Sequence, residues 1–212
     1  MNPTAPYIKV CGMREPASLA AVAALRPDFL GFIFYPQSSR YVGARLSRAE
    51  LAALPAGIRK VGVFVDELVE HILARVVEFG LDLAQLHGAE TPAECAAVQA
   101  AGVPVSKAFA VDETFDFARL QPYVGSVTYF LFDTKGNQPG GNGTAFDWNL
   151  LTAYDLPVPY FLAGGLGPEH AATLRNLRLP GLFALDLNSR FETAPGVKDP
   201  VALRRLFDSL RI

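Results

Sequence analysis

Five kinds of residue in this chain have the types and settings for chemistry: a thiol, carboxylates that end apolar runs, a histidine and an arginine after such runs, and a glycine pair. Cys11 closes the run Ile8-Lys9-Val10-Cys11-Gly12-Met13, which reads as a short strand that stops at a thiol and turns on a glycine. Alternation puts Lys9 and Cys11 on one face and Ile8 and Val10 on the other. A thiol deep in a core acts as a small hydrophobe. One at a strand's C-terminal end can meet a substrate and, as thiolate, act as base or nucleophile. An ammonium beside it favours the thiolate, so Lys9 is expected to assist Cys11, and Lys107 is expected to face inward as well. Asp133 and Asp186 also end apolar strands, where a carboxylate without a partner or role is costly. Arg40 follows Ser38-Ser39, and His87 precedes Gly88, where a turn is the plain alternative to a role. Asp66 reads as the cap of the next helix. Gly164-Gly165 and the stretch Asn188-Ser189 could cradle an anion, because glycine lets backbone N–H groups approach closely.

The elements that must carry these residues alternate. After the first strand, strands are expected at 29–34, 60–65, 83–86, 103–109, 127–132, 160–163 and 182–187. The apolar run closed by Pro36 has the look of a strand buried on both faces. Between the strands lie helical signals. Pro16 sits where a first turn tolerates proline. Ser47-Arg-Ala-Glu50 and Thr91-Pro-Ala-Glu94 read as capping boxes. Val69, Ile72, Leu73, Val76 and Val77 form an apolar stripe. A weak helical stretch is expected at 113–120, a helix opening at Pro168, and a final helix capped at Asp199-Pro200 with Leu203, Leu206, Phe207 and Leu210 on one face. Eight strands alternating with helical segments in 212 residues predict a single (β/α)8 TIM barrel, one domain over 1–212. The alternative, an open doubly wound sheet, loses ground because no GxGxxG follows the first strand. In a barrel the active site lies at the strands' C-terminal ends, and phosphate commonly sits on the loops after strands seven and eight.

Half the residues are hydrophobic and 19% are charged, which supplies a sizeable core. A net charge of −2 without a Lys/Arg run argues against nucleic acid as a partner. Cys11 and Cys95 belong to different elements and are expected as free thiols in a reducing compartment. The N-terminal residues lack the pattern of a signal peptide, and no apolar run is long enough for a bilayer, so a cytoplasmic protein with no membrane partner is expected. His71, His87 and His170 lie far apart without helical pairing, so no metal site is expected.

With these residues in place the chain resembles the phosphoribosylanthranilate isomerases of tryptophan biosynthesis. The matching segments run in order: Lys9-Val-Cys-Gly12; Gly31-Phe-Ile-Phe-Tyr-Pro36 with Ser39-Arg40; Val61-Gly-Val-Phe-Val65; Gln85-Leu-His-Gly88; Asp133-Thr-Lys135. They continue with Gly140-Gly-Asn-Gly143, Phe146-Asp-Trp148, Gly164-Gly-Leu166 and Pro195-Gly-Val-Lys-Asp199. The resemblance implies an Amadori rearrangement of N-(5-phosphoribosyl)anthranilate to the 1-deoxyribulose 5-phosphate product. It implies Cys11 as general base and Asp133 as general acid. Arg40 would meet the anthranilate moiety, Asp186 the sugar hydroxyls, and His87 is counted with them as substrate-binding. Gly164, Gly165, Asn188 and Ser189 would hold the phosphate. The chain departs from the family where Ser-Ser-Gly-Val-Glu is usual: it has Asn188-Ser189-Arg190-Phe191-Glu192, and Arg190 is expected to add a phosphate-binding cation. A lysine usual after the glycine loop is replaced in the Thr144-Ala145 stretch.

The implied reaction moves protons within one phosphorylated small molecule and needs no cofactor. A histidine-pathway isomerase would offer an aspartate instead of Cys11. Indole-glycerol-phosphate synthase usually needs a lysine there and an N-terminal extension. A catalytically silent barrel that binds a phosphorylated metabolite is the reading from another class. A thiol-redox role lacks a CxxC. The chain's size is compatible with a monomer, and a dimer stays open.

Overall fold

The computed structural model describes residues 5–43, 45–134 and 147–210. Eight parallel strands close into a barrel in sequence order: β1 (Tyr7–Val10), β2 (Phe29–Ile33), β3 (Arg59–Phe64), β4 (Leu83–Leu86), β5 (Val105–Val111), β6 (Tyr129–Thr134), β7 (Tyr160–Leu162) and β8 (Leu182–Leu187). Closure comes from β1 pairing with β8, with Lys9 opposite Asp186. The expected boundaries shift by one or two residues and the order holds.

The connections are less uniform. Helices α1 (Pro16–Ala23), α2 (Arg48–Ala52), α3 (Val69–Phe79) and α4 (Pro92–Ala100) follow the first four strands. Both capping boxes form: Ser47 and Thr91 accept from the amides of Glu50 and Glu94, whose carboxylates accept from the Ser47 and Thr91 amides. The apolar stripe of α3 buries Ile72 and packs Val69, Leu73 and Val76, but Val77 is exposed. Eight residues carry a stripe about 80° round the helix axis, and Phe79 takes the buried position instead.

The stretch expected as a helix at 113–120 is a 3₁₀ turn over Phe117–Tyr123, started by Asp116, whose side chain accepts from the Ala118 amide. Pro122 removes the donor a longer α-helix would need. A second 3₁₀ turn, Trp148–Ala153, follows β6; the glycine-rich segment 136–143, with Lys135 and Thr144-Ala145, lies outside the described residues. α5 (Ala171–Asn176) follows β7. After β8 come a 3₁₀ turn (Ser189–Phe191), a hairpin of β9 (Glu192–Ala194) and β10 (Val197–Lys198), and α6 (Pro200–Leu210). Asp199 caps α6 through the amides of Val201 and Ala202.

Side chains facing into the barrel form their own apolar layer, which includes Phe29, Val61, Leu83, Ala108, Leu131 and Phe161. At the N-terminal end Tyr7, Phe161 and Phe183 ring Phe29, Tyr129 stacks on Phe183, and the Arg59 guanidinium lies 3.7 Å over the Phe29 ring. The floor is thus plugged with aromatics, and the polar residues lie toward the opposite mouth.

Candidate active site

A cleft of about 720 Å³, counting the part open to solvent, lies at the C-terminal mouth. Nine of the ten candidate residues line it: Cys11, His87, Asp133, Gly164, Gly165, Asp186, Asn188, Ser189 and Arg190. Strand ends around a closed barrel converge, so residues 178 positions apart in sequence meet.

Lys9 sits one layer below Cys11 and is fully buried. Its ammonium donates to Asp186 Oδ2 (2.6 Å) and Gln85 Oε1 (2.8 Å). Burial works against this charge, but Asp186 and the Cys11 sulfur outweigh it and hold the lysine above its usual range. Cys11 answers differently. Burial pushes its thiol up; Lys9 and Lys198 pull it down; Asp186 pushes it up again, and the result is upward. Lys9 therefore acts in the expected direction but is overcome by burial, and Cys11 rests as the thiol. Gly31 makes room for it, since a Cβ there would stand 2.7 Å from the Cys11 Sγ.

Gln85 also reaches His87, with Nε2 2.9 Å from the ring Nδ1. The other ring nitrogen, Nε2, lies 3.5 Å from Asp133 Oδ2. Asp133 Oδ1 accepts from the Thr134 amide. Asp186 Oδ1 is buried and has no hydrogen-bond partner among the described residues, a waiting acceptor at the cleft.

Gly164 and Gly165 both hold positive φ, 84° and 66°. At Gly164 a Cβ would strike Thr134, 2.2 Å from Oγ1 and 2.4 Å from the backbone nitrogen. Only glycine fits that turn. The amides of Gly164, Gly165 and Ser189 find no acceptor among the described residues. They make a ready set of donors for an anion.

Several residues sit otherwise than the sequence suggests. Arg40 is not among the residues that line the cleft, but it runs close to Asn188, which is: a Cβ on Gly12 would stand 2.8 Å from both side chains. The Nε and Nη2 of Arg40 are taken by the Glu192 carboxylate at 2.7–3.0 Å, which leaves Nη1 without a partner among the described residues. Lys198 donates to the same carboxylate (2.7 Å) and to Asn188 Oδ1 (2.8 Å). Burial raises Glu192, but these two cations outweigh it and keep the carboxylate below its usual range. Arg190 is at the cleft, but its guanidinium pairs with Glu169. Asp66 does not cap α3; with φ at 49° its carboxylate accepts from the Ala89 amide. Lys107 faces away from the barrel interior and pairs with Glu90 at 3.2 Å. Gln85, Glu90, Glu192 and Lys198 had no assigned role in the sequence. Strand alternation from His87 could have found Gln85, and Glu192 and Lys198 lie in the segments compared with the family; nothing local marks Glu90.

Among the described residues no group of three or more His, Cys, Asp or Glu side chains could hold a metal ion. No helix among them is long and apolar enough to cross a membrane.

Fold and site together define a TIM-barrel enzyme with a thiol, two carboxylates and an amide cradle at one mouth. The sequence model for N-(5'-phosphoribosyl)anthranilate isomerase matches residues 8–209. The chain belongs to that family. It is 43% identical over 204 residues to the N-(5'-phosphoribosyl)anthranilate isomerase of Phocaeicola vulgatus, covering 96% of this chain and 97% of that one. Among solved structures it is similar to a phosphoribosyl anthranilate isomerase bound to reduced 1-(o-carboxyphenylamino)-1-deoxyribulose 5-phosphate. That match has a TM-score of 0.83 and 30% identity, over 97% of this chain and 98% of the other. It is also similar to monomers generated from the dimeric enzyme of Thermotoga maritima, with a TM-score of 0.82 and 30% identity over the same shares.

Proposed function

We propose that this chain catalyses the Amadori rearrangement of N-(5-phosphoribosyl)anthranilate to 1-(2-carboxyphenylamino)-1-deoxyribulose 5-phosphate, with Asp133 as general acid and Cys11 as general base. The observation that carries the reading is the meeting of Cys11, Asp133 and the Gly164-Gly165 turn around one cleft.

Asp133, as the acid, gives its proton to the ring oxygen of the ribose. The C1–O bond breaks and the nitrogen lone pair forms the Schiff base. That cation acidifies the C2 proton, which Cys11 removes as thiolate. The resulting enolamine takes up at C1 the proton held by Cys11 and releases the proton of its C2 hydroxyl, which leaves the ketone; uptake of that proton by the carboxylate resets Asp133. Each positioned group contributes about 10²–10⁴-fold. An ordinary carboxyl titrates near about 3.9 and an ordinary thiol near about 8.5. Lys9 supports the thiolate as it forms, while burial keeps it scarce at rest. Asp186, with its unpartnered oxygen, suits a sugar hydroxyl. The amides of Gly164, Gly165 and Ser189 suit the phosphate. The free edge of Arg40 suits the anthranilate carboxylate, with Glu192 fixing its other edge. One domain over the whole chain, a monomer and a cytoplasmic location belong to the same reading.

The test is the decay of anthranilate-type fluorescence when freshly made substrate meets purified protein without added metal. Wild type is expected to speed the decay; Cys11→Ser and Asp133→Asn are expected to stay at the spontaneous background. An inert wild type would leave a silent phosphosugar-binding barrel as the better reading.

A further inference from the structure

We infer that Gln85 is a positioning residue which, oriented by Lys9, holds His87 as the neutral Nε2–H tautomer so that it donates a hydrogen bond to Asp133. The inference deepens the isomerase reading and rests on it for its catalytic half.

Each link follows from which atoms can donate. The Lys9 ammonium has donors only. The Gln85 atom 2.8 Å from it must be the carbonyl oxygen Oε1. The amide's other end, Nε2, then faces His87 Nδ1 at 2.9 Å. An amide nitrogen donates and cannot accept, so Nδ1 must carry the lone pair. In a neutral imidazole the proton then sits on Nε2, the atom 3.5 Å from Asp133 Oδ2. An imidazolium would set N–H against N–H at Gln85. The buried Lys9–Asp186 pair anchors the start of this relay, since Lys9 cannot turn away without leaving Asp186 unpaired.

The tautomer decides the sign of what His87 does. With hydrogen on Nε2, the ring is a donor to Asp133, and the interaction strengthens as Asp133 loses its proton. A distance of 3.5 Å is long for a hydrogen bond, so most of its benefit falls where negative charge develops. With hydrogen on Nδ1 instead, Nε2 would present a lone pair. It would then accept the proton of the acid form and stabilise the reactant. The relay thus favours proton donation from Asp133 to the substrate.

The experiment uses intact protein labelled with ¹⁵N in histidine, with the His87 signals assigned by their loss in His87→Asn. Long-range ¹H–¹⁵N correlation tells a protonated ring nitrogen from a bare one. Wild type is expected to show bare Nδ1 and protonated Nε2. In Gln85→Glu a carboxylate, still paired to Lys9, accepts at Nδ1, so the tautomer is expected to invert. Its kcat is expected to fall roughly 10- to 100-fold with KM changed less than about threefold. Gln85→Met, which offers His87 nothing, is expected to show both tautomers and an intermediate kcat, and it serves if the glutamate variant fails to fold. Protonated Nδ1 in wild type overturns the inference. So does a loss of kcat with an unchanged tautomer, which would make Gln85 merely structural, or an inverted tautomer with full kcat. A wild type with the expected tautomer and no isomerase activity would instead overturn the isomerase reading and, with it, only the catalytic half of this one.

Discussion

Two lysines on the barrel strands are buried, each against a carboxylate, and they serve opposite sides of the strand wall. Lys9 points inward from β1, touches Asp186 and Gln85, and lies beneath the cleft. Lys107 points outward from β5, 3.2 Å from Glu90, and donates to the carbonyl oxygens of Gly88 (2.7 Å) and Ala108 (3.0 Å). Glu90 in turn accepts from the amides of Asp66 and Gly88. The outer pair therefore ties the loops after β3 and β4 together and touches no cleft atom. Both charges are desolvated, and both would be costly alone. What separates a functional ion pair from a structural one here is the parity of one residue along a strand.

The outer pair should fail by unfolding. Lys107→Met leaves Glu90 buried with only backbone donors, and a loss of roughly 3 kcal/mol is expected, at the low end for a broken buried pair. That is a fall of about 6–12 °C in melting temperature for a chain of this size. At 25 °C kcat should stay within about fivefold. A stable Lys107→Met protein that has lost its activity would break the contrast.

The inner pair should fail by losing chemistry. Lys9→Met is expected to lower kcat about 10²-fold, because it removes the cation that supports the Cys11 thiolate and orients Gln85. Its melting temperature should fall less, since Asp186 borders the cleft and can take a proton or a water. The double variant Lys9→Met/Asp186→Leu sharpens the point: apolar replacement of a buried pair restores stability, and activity should stay lost.

The barrel was legible because its signals are local: apolar runs, caps and the α3 stripe each declare themselves within a dozen residues. The strand ends were legible as a site because closure brings them together whatever their separation. What failed was what locality cannot carry. β5 is apolar on both faces around Lys107, so its pattern does not say which way the lysine points. Arg40 and Glu192 are 152 positions apart, and although Pro195-Gly196 marks the turn of the hairpin, nothing in the sequence says that it brings Glu192 over Arg40. Burial is the third hidden quantity: Lys9 beside Cys11 was readable, the dryness that outweighs it was not.

That dryness has a measurable sign. The Cys11 thiol is pushed above its ordinary range, so the thiolate fraction grows with pH across the neutral and mildly alkaline region. The rate at which Cys11 is alkylated, which follows the thiolate alone, should rise with pH through that region and level off only above the usual thiol pKa. Lys9 lowers this pKa, so Lys9→Met should move the inflection further up and slow the reaction on the rising limb. An inflection that moves down, or stays in place, would detach Lys9 from Cys11. Cys95, held up at about 11 by burial, is the internal control: it should resist alkylation where Cys11 begins to react.

A smaller effect is expected where the backbone meets the phosphate. Gly164→Ala places a Cβ against Thr134 at positive φ, at about 1–3 kcal/mol of strain. KM should rise several-fold for the phosphorylated substrate, while the pH inflection set by Lys9 and Cys11 stays put. A shift in that inflection would mean that the phosphate loop and the lysine layer are not separate.

The Arg190–Glu169 pair at this mouth completes the series because both partners are nearly half exposed. Water screens them, and such pairs contribute about 0–1 kcal/mol. Glu169→Gln should therefore leave the melting temperature within about 2 °C. If Arg190 contacts phosphate as the sequence suggests, removing its competitor should lower KM by about twofold, and Arg190→Gly should raise it. If KM moves in neither variant, Arg190 is a bystander in the position the family usually gives to glycine. The amides of Gly164, Gly165 and Ser189 would then carry phosphate recognition with no help from a side-chain cation there. Weight in this molecule would then follow burial alone: greatest for the lysines that water cannot reach, and negligible for the arginine that it can.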